Sequence, residues 1–191
     1  MNTMRAPRAV VLVEGGSDRV ALHALAHRRG RDLKAEGIEV LSMGGVTNIR
    51  AFADRHGPRG RGDRLAGLYD VGEERHVRRG LAAAGVPATS RGALATLGFH
   101  ACHADLEDEL LRAVGTKGAE AVIEEAGEGR SLRLLTQMPA QRGWRREDVL
   151  HRFLGSQAGR KMRYARLFVE AMDLDRAPQP LLAVLADAYP T

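Results

Sequence analysis

The segment Ala9–Val13, read Ala-Val-Val-Leu-Val, is the feature that most constrains this chain. It is a continuous apolar run rich in valine, and Glu14-Gly15-Gly16 follows it directly. A strand with one wet face alternates apolar and polar residues, whereas an unbroken run suits a strand covered on both faces. Such strands belong to parallel sheets, whose crossover helices lie over both surfaces.

The rest of the chain fits that reading. Ser17 or Asp18 can cap a helix whose spacing is marked by Val20, Ala21, Ala24, Leu25 and Arg28, with Gly30 closing it. Ile38–Met43 reads as a second strand ended by Gly44-Gly45. A short helix is predicted from Thr47 or Asn48 to about His56, then a flexible basic loop from Gly57 to Gly62. Leu65–Tyr69 reads as a third strand with Asp70 at its end. A helix is expected from about Glu73 to Ala84, and a fourth strand within Ala95–His103.

After Asp105 only helices are expected: Leu106–Val114, Ala119–Glu125, Leu132–Met138, Arg146–Leu154, Lys161–Met172 and Leu181–Tyr189. The expected fold is therefore α/β, a parallel sheet of about four strands with helices on both faces and a C-terminal helical extension. With 191 residues, one domain or one domain plus an extension is expected. Residues 1–115 form the core in this reading, and 116–191 pack on it as one unit.

Several classes fall away. The single cysteine, Cys102, leaves no internal disulfide framework and suits a reducing cytoplasm. No apolar run approaches the roughly 20 residues of a membrane span. Met1–Arg8 shows no signal-peptide organisation. His100 and His103 bracket Cys102, but alternation on a strand puts His100 and Cys102 on one face and His103 on the other, so a structural role is favoured over zinc.

Ligands of open parallel sheets bind beyond the carboxyl ends of the strands. The residues just past three expected strand ends are Glu14, Asp70 and Asp105, all acidic. Converging carboxylates repel one another unless a cation or shared protons neutralise them. Mg²⁺ is the natural candidate, since it takes hard oxygen ligands and is often held by carboxylates together with substrate phosphate. Asp18 lies four residues after Glu14 and can face the same point, although a helix cap explains it as well. On a helix, Asp105, Asp108 and Glu109 would share a face, with Glu107 included if it belongs to the preceding turn. Gly15-Gly16 and Gly44-Gly45 could cradle phosphate or serve as tight turns.

Charge is segregated along the chain. Leu106–Gly129 carries seven acids and two bases, and Arg130–Arg166 carries ten bases and two acids with Trp144, Phe153 and Tyr164 interleaved. This pattern is either a metal site beside a polyanion track or a set of solvated helix faces. In the first reading, Arg142, Arg145, Arg146, Arg160 and Arg163 contact nucleic acid. Trp144 and Tyr164 are base-stacking surfaces or, more often, packing anchors.

Val13-Glu14-Gly15-Gly16-Ser17-Asp18 resembles the glutamate motif of Toprim domains, and Asp70 stands where that family ends its third strand with Asp-x-Asp. The turn Gly44-Gly45-Val46-Thr47-Asn48, the segment Asp105–Leu110 and Lys161 extend the resemblance to the Toprim region of OLD-family nucleases. It implies a Mg²⁺-dependent nuclease, with Mn²⁺ as a substitute, acting on DNA in preference to RNA. Glu14, Asp70 and Lys161 would be catalytic. Metal ligands would come from Glu14, Asp18, Asp70, Glu73, Asp105, Glu107 and Glu109, with Lys161 near the substrate phosphate. Gly72 replaces the second Asp of Asp-x-Asp, so Glu73 or Glu74 would have to supply that carboxylate. OLD proteins also carry an ATPase region, and this sequence has no G-x-x-x-x-G-K-[ST] segment. The chain would thus act alone, as a homodimer, or with a separate ATPase partner. The alternative is a binding module of the same scaffold that has lost turnover.

Overall fold

The computed structural model describes residues 9–189; the expectation for Met1–Arg8 lies outside them. Four strands form one parallel sheet: β1 (Ala9–Val13), β2 (Ile38–Ser42), β3 (Arg64–Asp70) and β4 (Phe99–Cys102), in the order β2-β1-β3-β4. The helices between them are α1 (Gly16–Arg28), α2 (Ile49–His56), α3 (Glu74–Ala83) and α4 (Arg91–Thr96). Six more follow: α5 (Leu106–Val114), α6 (Thr116–Glu125), α7 (Gly129–Gln137), α8 (Arg146–Leu154), α9 (Arg160–Ala171) and α10 (Gln179–Asp187). Short α4 was not expected; Ser90 caps it by accepting a hydrogen bond from the Ala93 backbone at 3.1 Å.

Every residue of β1 is buried. Its side chains divide between two hydrophobic clusters, as the period of two along a strand requires. Ala9, Val11 and Val13 join Leu22, Leu25 and Leu68, while Val10 and Leu12 join Ile49, Val77 and Leu81. Each fully buried Val, Leu or Ile is worth about 1.5–3 kcal/mol. The central strand thus ties together helices on both surfaces.

The first cluster also takes in Ile123, Leu150, Tyr164, Phe168, Leu181 and Leu185, so helices after α5 share one core with the sheet. Helix α9 packs along α1. At one end, the Arg28 guanidinium donates to the carbonyls of Val169 and Met172 at 2.7 and 2.6 Å, satisfying acceptors that a helix C-terminus leaves open. At the other end, a Cβ on Gly16 would sit 3.2 Å from Met162 Sδ. The bare glycine lets the start of α9 approach the start of α1, which brings Lys161 to the strand ends.

Candidate active site

Order β2-β1-β3-β4 makes β1 and β3 neighbours that are connected outward to opposite edges. The sheet therefore opens a crevice between their carboxyl ends, where ligands of such sheets bind. Glu14 follows β1 and Asp70 ends β3. Asp70 is in register with Cys102 of β4, and Asp105 lies in the turn just beyond. A cavity of about 170 Å³ is lined by Glu14, Asp18, Asp70, Asp105, Glu107 and Lys161, with Gly15, Ser17 and Leu106 between them.

Local structure fixes each acid. Asp18 is the third residue of α1, and its Oδ2 accepts the Gly15 amide at 2.8 Å, the half of a capping box that the third helical residue supplies. Asp105 caps α5, with Oδ1 accepting the Asp108 amide at 2.8 Å and Oδ2 2.7 Å from His151 Nε2. Glu107, nearly buried, has Oε2 3.0 Å from Lys161 Nζ. Neither Glu14 nor Asp70 pairs with a cationic side chain among the described residues.

The electrostatic cost of this crowding appears in the protonation equilibria. Burial, then the charges of Glu14, Asp105, Asp18 and Glu107, push Asp70 up to about 7. Burial, reinforced by Glu107 and Glu14, holds Asp18 at about 6 against the stabilising Gly15 amide. For Lys161, burial acts downward, but the hydrogen bond and charge of Glu107, with Asp105 and Asp70, hold its pKa above the usual lysine range. A divalent cation would relieve this repulsion, and the donors are hard oxygens of the kind it takes. The tightest ligand group among the described residues is Asp105, Glu107 and His151, whose ligand atoms lie within 4.8 Å of one another. His151 was not anticipated. It sits on α8, far along the chain, and nothing in its own neighbourhood marks it.

Two expected acids lie elsewhere. Glu109 is nearly buried, with Oε1 accepting the His103 amide at 2.8 Å and pairing with Arg112 at 2.8 Å. Asp105 is a cap on extended backbone rather than a helical residue, so residues 105 and 107 face the cavity while 109 turns away. Glu73 lies in a 3₁₀ turn and its carboxylate is 2.9 Å from His76 Nδ1, outside the cavity lining. Its neighbour Glu74 pairs with Arg91 at 2.7 Å. The glycine pairs do not offer free amides throughout: Gly15 donates to Asp18, and Gly45 donates to the Glu14 carbonyl at 3.2 Å.

The basic block largely neutralises the acidic one. Arg146 bonds Glu120, and Arg163 bonds Glu128 at 2.8 Å and the Ala126 carbonyl at 2.9 Å. Arg160 is buried, bonded to Glu128 and to Ser156 Oγ at 2.6 Å, so it is an interior anchor and not a surface cation. Arg142 and Arg145 remain exposed. Tyr164 is fully buried, whereas Trp144 is exposed. Burial, then Glu109, pushes the Cys102 thiol far up, so it offers no thiolate, and His100 pairs with Asp187 at 2.7 Å. No helix of the described residues is long and apolar enough to cross a membrane.

Residues 7–55 match the family described as overcoming lysogenization defect protein-like, TOPRIM domain. The fold is similar to the C-terminal region of the Xanthomonas campestris pv. campestris OLD protein, at 24% identity and a TM-score of 0.76, covering 96% of this chain and 92% of that one. It is also similar to the C-terminal region of the Burkholderia pseudomallei OLD protein, at 22% identity and a TM-score of 0.70, covering 96% and 97%. No curated protein matches the sequence.

Proposed function

We propose that this chain, whose residues 7–55 match the OLD-like TOPRIM family and whose fold is similar to the C-terminal region of OLD proteins, hydrolyses phosphodiester bonds in nucleic acid, DNA in preference to RNA. The proposed cofactor is Mg²⁺, with Mn²⁺ as a substitute. The observation that carries this reading is the cavity at the strand ends, where five carboxylates and one ammonium converge. Oxygen donors of this kind suit Mg²⁺ and Mn²⁺ over softer metals. When bound, such a cation polarises a phosphoryl oxygen and makes a nucleophilic hydroxide accessible near neutral pH.

Glu14, Asp18, Asp70, Asp105 and Glu107 would hold the cation, and His151 keeps the Asp105 carboxylate oriented. Lys161, half exposed at the same cavity, offers a compact positive charge to a non-bridging phosphate oxygen. The buried thiol of Cys102 and the lack of any other cysteine fit a reducing cytoplasm. Plasmid nicking with Mg²⁺ or Mn²⁺, beside an EDTA control, tests the proposal. Metal-dependent nicking that disappears in Glu14→Gln is expected. Nicking that survives EDTA or Glu14→Gln would refute it.

Gly72 and the outward turn of Glu73 favour a second reading. Here the scaffold binds nucleic acid without turnover and works with a separate ATPase partner. Metal and strand binding without product, at every divalent ion tried, would select it.

A further inference from the structure

Folding pairs or buries several cations of the basic block; Arg130 and Arg152 stay exposed on α7 and α8, and the turn between these helices sets two more arginines beside an exposed indole. Arg142, Gly143, Trp144 and Arg145 are all exposed there. The Arg142 side chain makes no hydrogen bond or ion pair among the described residues, and the Arg145 side chain reaches only Glu147, at 3.6 Å. Trp144 is the chain's single tryptophan and is 44% exposed. Leaving an indole in water forgoes one of the larger gains a side chain can make on burial.

The turn itself is ordered. The amides of Gln141, Arg142 and Trp144 donate to the carbonyls of Met138, Pro139 and Gln141 at 3.0, 3.2 and 3.1 Å. Gly143 has φ +81, a left-handed conformation that favours glycine, so the indole is presented outward by a defined backbone.

Trp144, Arg145 and Asp148 line a hollow of about 370 Å³. Arg145 and Asp148 also line a second hollow, of about 390 Å³, that reaches His151 between α5 and α8. His151 in turn bonds Asp105 of the acidic cavity. Shared residues therefore join the two hollows into one track, and the His151–Asp105 bond sets its inner end beside the acidic cavity. Of its acids, Asp108 has Arg112 at 3.1 Å and Glu147 has Arg145 at 3.6 Å, while Asp148 has no cationic partner among the described residues.

We propose that this track seats an unpaired DNA strand leaving the phosphodiester centre, with one base stacked on Trp144 and the flanking phosphates held by Arg142 and Arg145. The proposal rests on the nucleic-acid reading above and adds to it a preference for unpaired ends. A base inside a duplex is already stacked on both faces, so an exposed indole gains a partner chiefly from an unpaired base. Arginine's planar fork suits the phosphates on either side.

The single tryptophan makes the test direct. The full chain is titrated in EDTA with an oligothymidylate and, separately, with a blunt hairpin duplex, and its fluorescence is followed. Quenching by the single strand is expected, with much less by the duplex. Trp144→Ala should lose about tenfold or more in affinity for labelled oligothymidylate, the scale of one stacked base. Trp144→Phe should recover most of it, and unchanged melting curves would show that both variants are folded. Unquenched fluorescence on binding, or equal losses for single strand and duplex, would overturn the proposal. Because EDTA prevents turnover, quenching without nicking in the metal assay would remove hydrolysis and leave this site standing. Nicking without quenching would do the reverse.

Discussion

Lys161 Nζ lies 3.0 Å from Glu107 Oε2, joining the first turn of α9 to the first turn of α5 across 54 positions of sequence. The ammonium is thereby held at the acidic cavity while staying 48% exposed. A charge so placed can meet a phosphoryl oxygen whose negative charge grows as the bond breaks.

Lys161→Ala is expected to slow single-turnover cleavage by ~10²-fold or more, the scale of losing one electrostatic stabiliser. DNA affinity should change little, because an interaction that strengthens in the transition state is spent on the chemical step. Lys161→Arg should rescue incompletely, since its donors are spread across a plane. Equal losses of rate and affinity, measured side by side, would assign Lys161 to ground-state binding alone.

Asp70 and Asp18 predict a pH dependence whose sign is definite. Their folded pKa values, about 7 and about 6, stand above the value of about 4 expected in the unfolded chain. Between those limits the folded protein holds more protons than the unfolded one, so stability falls as pH rises from about 4 to about 7. Divalent cations need the ionised carboxylates, so metal binding should strengthen over the same span. Melting temperatures in EDTA should therefore decline with pH less steeply in Asp70→Asn, and Mg²⁺ should stabilise the wild type most at the alkaline end. Parallel melting profiles for the two proteins in EDTA would contradict this.

Arg160 and Arg142 should separate structure from binding. Arg160 is buried, with its guanidinium 4.0 Å from the centre of the Phe153 ring and bonded to Glu128. Removing one member of such a pair costs about 3–5 kcal/mol when its partner is stranded. Glu128 keeps Arg163 and the Tyr164 hydroxyl, so about 2–4 kcal/mol is expected for Arg160→Ala in urea unfolding. Arg142→Ala should leave stability unchanged and make single-strand DNA affinity less sensitive to salt, by a slope of roughly 0.7 for one single-strand phosphate. The reverse pattern would place Arg142 in the fold and Arg160 in the interface.

Gly72→Asp tests the missing acid. A Cβ at Gly72 would meet nothing within 4 Å, so the larger side chain has room. The variant should fold normally and bind Mn²⁺ more tightly in calorimetric titration. Unchanged or weaker affinity would show that position 72 does not face the metal.

The sheet was legible because its signals are local. Five apolar residues of β1 and the glycines behind them mark a strand and its turn without knowledge of the rest. The acids at strand ends were legible for the same reason, since topology gathers whatever follows those strands. Helix α4 was harder to read because it has only six residues, too few for a periodic pattern. His151 left no local mark, since its partner Asp105 lies 46 positions away. Arg160 looked like its exposed neighbours because charge along a chain does not reveal which guanidinium will close over Glu128. Glu109 and Glu107 were hard to separate because their directions depend on whether Asp105 caps the helix or belongs to it.

The approach of α9 to α1 has a temporal side. The four strands are complete once Cys102 has been made, yet His151 and Lys161 are translated well afterwards. All five acids are translated before Lys161, the ammonium that faces them. The proposed chemistry would therefore await late synthesis and the docking of α9, and a product cut short before α9 would carry the carboxylates without their cationic counterpart.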